Sequence, residues 1–225
     1  MSIIEVNPLF GDCIAKKEMC RVDKSGLVVK VKQIDSCCYV EDTETNLIIP
    51  LKSNGEVYPR QGIFSKNKDK NYIIYLLSKK AFYSQGFTTK MHFDSNYNNV
   101  SVDINIPYDI SFKVDSSQIP SFIRYAFSLY SGVTIDYELI YNSLAPYINT
   151  AIKKSIGNSG IYTIEDLETA VELLNRDVKN EINIMMTNYG YGIQITNVNL
   201  QIIDDYEHRQ EKKRVEHNKV LNGGF

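Results

Sequence analysis

Eight apolar residues, Val100, Val102, Ile104, Ile106, Tyr108, Ile110, Phe112 and Val114, occupy successive even positions with mostly polar residues between them. Side chains of a strand alternate between two faces, so this run predicts one long strand with a core face and a wet face. Pro107 has no backbone donor and falls off the apolar parity, which predicts an edge position or a bulge bending the strand.

Helical spacing follows directly. Asp115 and Ser116 are good N-caps for a helix carrying Ile119, Phe122, Ile123 and Ala126. A second helix is expected from about Ile135 to Ile156, with positions 137, 140, 144, 148 and 151 on one face, Pro146 as a kink and Gly157 as its stop. A third begins at Thr163, whose hydroxyl can cap it, with Asp166 reaching back toward the free donors. Leu167, Val171, Leu174, Val178, Ile182 and Met185 form its stripe, and Gly190 and Gly192 end it. At about 1.5 Å per residue this helix is on the order of 40 Å long. A closing strand reads Ile193, Ile195, then Val198, Leu200 and Ile202, its parity changing at Thr196 and Asn197.

Before residue 90 the signals are those of strands and turns. Residues 27–33 are β-branched and partly alternating, and 36–40 carry the strand character on before the polar run Glu41 to Asn46, a hairpin pattern. Turns at Lys52 to Glu56, Pro59 to Gly62 and Lys66 to Asn71 leave short strands at 62–65 and 72–77. The fold class is therefore α+β: a β-rich lobe at 1–90, an α/β lobe of long strand, helices and closing strand at 91–203, and a charged C-terminal helix or tail at 204–225.

Apolar residues make up 43% and charged residues 23% of the 225 positions, which excludes a disordered or fibrous chain. No apolar run approaches the length of a membrane-spanning helix, and the first residues lack the basic-then-apolar pattern of a secretory signal. The four cysteines, at 13, 20, 37 and 38, include no Cys-x-x-Cys, so they are expected as reduced thiols in a cytoplasmic protein. Residues 1–90 carry 14 basic and 10 acidic side chains and residues 91–203 carry 6 and 12, a gradient that permits head-to-tail contact between copies.

Chemistry-bearing motifs are absent. There is no Gly-x-Ser-x-Gly, Gly-x-Gly-x-x-Gly, Walker-type loop or His-Glu-x-x-His, and Gly190-Tyr191-Gly192 is too short to cradle a phosphate. His92, His208 and His217 are too far apart in sequence to share a helical face as ligands. Neighbouring strand side chains point to opposite faces, so Cys37 and Cys38 are expected to pack rather than react. Glu165, Asp166 and Glu168 crowd a helix start, where the backbone dipole favours them, and Lys153 and Lys154 are read as complementing the end of the preceding helix. No catalytic, cofactor or metal residue is expected.

The order of long strand, helix, helix, long helix, Gly-Ile-x-Ile strand and charged helix resembles the SPFH or band-7 domain of stomatins, prohibitins and flotillins. The stretch from Leu167 to Ile203 carries most of it, where Asn188-Tyr-Gly-Tyr-Gly192 feeds Ile193-Gln-Ile195-Thr-Asn-Val198-Asn-Leu200-Gln-Ile202. Earlier in the chain, Ile3-Ile-Glu-Val6, Gly26 to Gln33, Pro59-Arg-Gln-Gly62-Ile-Phe64 and Ile74-Tyr-Leu-Leu77 are similar to the bacterial, virion-core-protein-like branch, as are Phe87-Thr-Thr89 with Asp94. Two departures stand out: the chain has no C-terminal Cys-x-x-Cys zinc ribbon, and Pro107 lies near the place of a usual strand glycine.

The resemblance implies a non-enzymatic scaffold that self-associates, with copies of itself, and a membrane or client protein, as partners, and with no cofactor. Ile3, Ile4, Val6, Leu9 and Phe10 are the candidate membrane-contact residues. Asp204, Glu207, Arg209, Glu211, Lys212, Lys213 and Arg214 belong to a terminal segment of balanced charge without an apolar stripe, and are the candidates for contact between copies. The expected setting is cytoplasmic, peripheral to the inner face of a membrane. The alternative is a phage-related structural or nucleic-acid-binding module using Lys66, Lys68, Lys70, Lys79, Lys80 and Lys90, although these lysines form no basic stripe and nucleic acid is not an expected partner.

Overall fold

The structure, a computed structural model, describes residues 2–6, 9, 11–22, 27–31, 36–51, 56–57, 70–94, 101–201 and 214. Strands come first: β1 (Ser2–Val6), β2 (Cys13–Val22), β3 (Leu27–Val31), β4 (Ser36–Asp42), β5 (Leu47–Pro50), β6 (Glu56–Val57), β7 (Lys70–Ser78) and β8 (Phe82–Phe87). Then follow β9 (Met91–Asp94), β10 (Ser101–Ile104), β11 (Pro107–Val114), α1 (Ile119–Leu129), β12 (Thr134–Asp136), α2 (Tyr137–Asn158), α3 (Ile164–Asn188) and β13 (Ile193–Leu200). The fold is α+β, as expected.

Two compact units are drawn from alternating stretches of chain: Met1–Phe82, Lys113–Ser143 and Met186–Gln194 form one, and Tyr83–Phe112, Leu144–Met185 and Ile195–Phe225 the other. The lobes expected at 1–90 and 91–203 are consecutive, whereas these units interleave.

The first unit contains a five-stranded sheet in the order β12-β2-β7-β4-β5. β7 sits at its centre, antiparallel to both β2 and β4, and Tyr72, Ile74, Tyr75, Leu76 and Leu77 are all buried. Two occupied faces explain why this strand reads as an unbroken apolar run. One face joins Tyr72, Ile74 and Leu76 to Leu9, Cys38 and Val40, with Cys13, Cys20 and Leu51 packed alongside. On the other parity, the Tyr75 ring lies 5.3 Å from Phe127 of α1, and its hydroxyl donates to Glu41 Oε2 at 2.5 Å.

The hairpin falls between β4 and β5, its turn closed by Asn46 at φ 54°. β3 belongs to a different, three-stranded sheet, where it is parallel to β1 and antiparallel to β6. The expected strand at 62–65 lies outside the described residues.

The long alternating run is two strands, a correction to the single strand expected. β10 pairs with β9 in a two-stranded ribbon, and β11 joins a separate sheet in the order β13-β11-β8. The break falls at Asn105 and Ile106, where Thr88 holds the chain on both sides: its N–H donates to Ile106 O at 2.9 Å and its hydroxyl accepts from Ile106 N at 2.8 Å. Pro107 is buried at the start of β11, a position that tolerates a missing donor, and its carbonyl accepts from Gln201 N at 2.8 Å.

α1 buries Ile119, Phe122, Ile123 and Ala126, the four expected residues. Its start is later than expected: Gln118 is the N-cap with no side-chain bond, Pro120 fills the first turn where donors are free anyway, and Asp115 instead accepts from Ser117 N and Oγ. Ile135 is in β12, opposite Ala15, so α2 starts after it. α2 also runs past Gly157, and the left-handed residue that follows it is Gly160, at φ 66°. In α3 the Thr163 hydroxyl caps Asp166 N at 3.2 Å, and Met186 rather than Met185 completes the buried stripe.

Gly192 does more than stop a helix. At φ 64°, an added Cβ would lie 2.5 Å from Phe122 N and 2.6 Å from Gln118 O, so the first turn of α1 requires a glycine there. Its carbonyl accepts from Asp115 N at 2.9 Å.

Candidate functional site

β13 and β8 are the two outer strands of the three-stranded sheet. Ile193, Ile195, Val198 and Leu200 are buried while Gln194, Asn197 and Asn199 face outward, so the expected parity change within β13 is present. α3 closes this strand with two amide side chains. Asn183 accepts from Ile195 N at 2.8 Å and donates to Ile195 O at 3.0 Å, and Asn175 accepts from Leu200 N at 2.7 Å. A helix side chain thus satisfies backbone groups that a further strand would otherwise take.

Across the outward face, Asp109 of β11 gathers donors from both neighbours. Gln85 of β8 reaches Oδ1 at 3.0 Å, Gln201 reaches Oδ2 at 2.7 Å and Asn199 reaches it at 3.4 Å. The Tyr83 hydroxyl also bonds this carboxylate and accepts from Gln85 Nε2 at 2.8 Å. These bonds, that of Tyr83 foremost, lower the Asp109 pKa, and the same bond raises that of Tyr83. A carboxylate so supplied with donors is a cross-strand clasp, a poor proton acceptor and a poor ligand. Outward on β8 stand Tyr83, 52% exposed, and Phe87, 64% exposed, flanking Gln85.

Position raises the pKa of all four thiols. Burial first, then the neighbouring Cys37, pushes the Cys38 thiol up to about 12. Burial and Glu18 push Cys20 up to about 11, and burial leads the rise at Cys13 and Cys37 as well. His92 meets Asp103 at 3.0 Å on the exposed ribbon of β9 and β10, while His208 and His217 lie outside the described residues. Lys154 is not employed at a helix terminus, contrary to expectation; it pairs with Glu181 of α3 at 2.5 Å. Among the described residues no three His, Cys, Asp or Glu side chains are grouped to hold a metal, and no helix is long and apolar enough to cross a membrane.

The candidate membrane residues are only partly placed. Ile3, Ile4 and Val6 belong to β1, each paired in register with β3, and Phe10 lies outside the described residues. Leu9 is 9% exposed within the Val40, Tyr72, Ile74 and Leu76 cluster, so core packing has claimed that side chain and it is withdrawn from the set. Of the candidate self-association residues, Arg214 is described, helical and exposed; Asp204, Glu207, Arg209, Glu211, Lys212 and Lys213 lie outside the described residues.

Sequence pattern misses β8 and the Asp109 clasp. Aromatic residues fall on both parities of Phe82-Tyr-Ser-Gln-Gly-Phe87, so no single apolar face is signalled. The one available sign is the aromatic, Gln, aromatic series at 83, 85 and 87. No protein-family model matches this chain, and no curated protein matches it in sequence.

Proposed function

We propose that this chain is a non-enzymatic, self-associating scaffold of the SPFH/band-7 type, working in the cytoplasm at or near the inner face of a membrane. The observation that carries the reading is the succession from β11 through α1, the three-residue β12, α2 and the 25-residue α3 to the glycine-bounded β13. Apart from β12, and with β11 standing for the second half of the expected long strand, it is the order by which the sequence resembles that family. Several polar groups that could suggest chemistry have structural work: Thr163 caps, Asn175 and Asn183 close a strand, Asp109 joins three strands, and Cys13, Cys20 and Cys38 pack.

Copies of the chain are its first partner. A membrane or client protein is the second, reached without insertion of Leu9. Light scattering of the full chain at rising concentration is expected to give species heavier than 25.8 kDa. A single 25.8 kDa species throughout would overturn the proposal. Flotation with neutral vesicles is expected to be weak, and strong flotation would place the chain in the bilayer on its own account.

A further inference from the structure

The two outer strands of the β13-β11-β8 sheet are treated differently. β13 has Asn183 and Asn175 of α3 bonded to its backbone at Ile195 and Leu200. β8, the other outermost strand among the described residues, carries neither charge nor proline in Phe82-Tyr-Ser-Gln-Gly-Phe87. Its alternate residues Tyr83, Gln85 and Phe87 are exposed. Proteins ordinarily blunt such an edge, because it is a template for another strand.

We infer that β8 pairs with β8 of a second copy, antiparallel, across a two-fold axis centred on Gln85. The inference rests on the self-association proposed above and names one of its contacts. The exposed series is aromatic, Gln, aromatic, and it reads the same in either direction about Gln85. In antiparallel register Gln85 meets its own copy, while Tyr83 meets Phe87 of the second copy on each side. A two-fold contact needs such self-complementarity, and cross-strand aromatic pairs are among the favourable ones.

Within the strand no like charge is set against its copy, and Asp109 is already met by Tyr83, Gln85, Asn199 and Gln201; just beyond the strand ends the same register brings the exposed Lys80 opposite Lys90 of the second copy, a repulsion that salt relieves. Area limits the strength: a six-residue edge covers well under the roughly 800 Å² per partner of a standard interface, so this contact alone gives a concentration-dependent dimer.

The test uses the full chain. The double variant Tyr83→Lys, Phe87→Lys should dimerise about tenfold more weakly in sedimentation, with a melting temperature lowered only slightly, because Phe87 is exposed and Tyr83 gives up one surface bond to Asp109, a loss that Tyr83→Phe shows separately. Separately, Gln85→Cys should be joined to its copy by a short thiol crosslinker, above the background of the parent with its four native cysteines. Tyr83→Cys should not, because four steps of roughly 3.4 Å set it about 14 Å from its own copy. A parent that associates while the lysine variant associates equally well, or while Tyr83→Cys crosslinks as readily as Gln85→Cys, overturns this contact and leaves the scaffold reading standing. A parent that stays monomeric overturns both.

Discussion

The central strand of the five-stranded sheet and the edge strand of the three-stranded sheet use the same kinds of residue to opposite ends. β7 carries Tyr72, Ile74, Tyr75, Leu76 and Leu77, all 5% exposed or less, whereas β8 leaves Tyr83 and Phe87 more than half exposed. What differs is the number of covered faces and neighbours. β7 has a strand on either side and packing on both faces. β8 is outermost among the described residues, and its outer face carries the Asp109 clasp. Aromatic content by itself therefore does not report the core; position in the sheet does.

The largest effect is expected where β13 begins. Gly192→Ala would force a Cβ against the backbone of Phe122 and Gln118 in a left-handed conformation, and should cost about 4 kcal/mol in denaturant unfolding. A loss below 1 kcal/mol would mean that α1 can move aside. Next, Leu76→Ala should cost about 3 kcal/mol by opening a cavity in the Leu9, Val40 and Ile74 cluster, while Tyr83→Ala should cost less than about 1 kcal/mol. Equal losses would erase the contrast between the two strands.

Asn183→Ala should come third, at about 2 kcal/mol, because it leaves both the N–H and the C=O of Ile195 without their side-chain partner. Unchanged stability with unchanged amide protection at Ile195 would show that water or another group replaces it. The smallest effect concerns Asp109. Its folded pKa is lowered, so its contribution is present above the ordinary aspartate value of 3.8 and is lost as pH falls through the lower folded value. Asp109→Asn should therefore flatten the acid limb of the stability profile slightly, by little because the group is at the surface. A steeper acid limb would reverse the sign.

Much of the second half was legible because periodicity reports burial on one face: Phe122 and Ile123 in α1, Leu174, Val178 and Ile182 in α3, and the shifted parity of β13 all follow from it. The split of the long strand was not. Val102 and Ile104 of β10 keep the same parity as Tyr108 and Ile110 of β11, and alternation cannot register that the strand has changed partners at Thr88. Ile135 suits a helix stripe and a strand equally, and only its place opposite Ala15 decides. Leu9 reads as a free apolar residue near the start of the chain until Tyr72 and Ile74, distant in sequence, are packed against it. The Asp109 clasp drew on residues from 83 to 201, a span no local pattern covers.

Hydrogen exchange of the full chain, followed across a protein concentration series, tests the contrast and the association together. Amides of β7 should be strongly protected at every concentration, and those of β8 weakly protected in dilute solution and progressively more so as copies meet. Protection of β8 that equals β7 in dilute solution, or that never changes with concentration, would contradict the account.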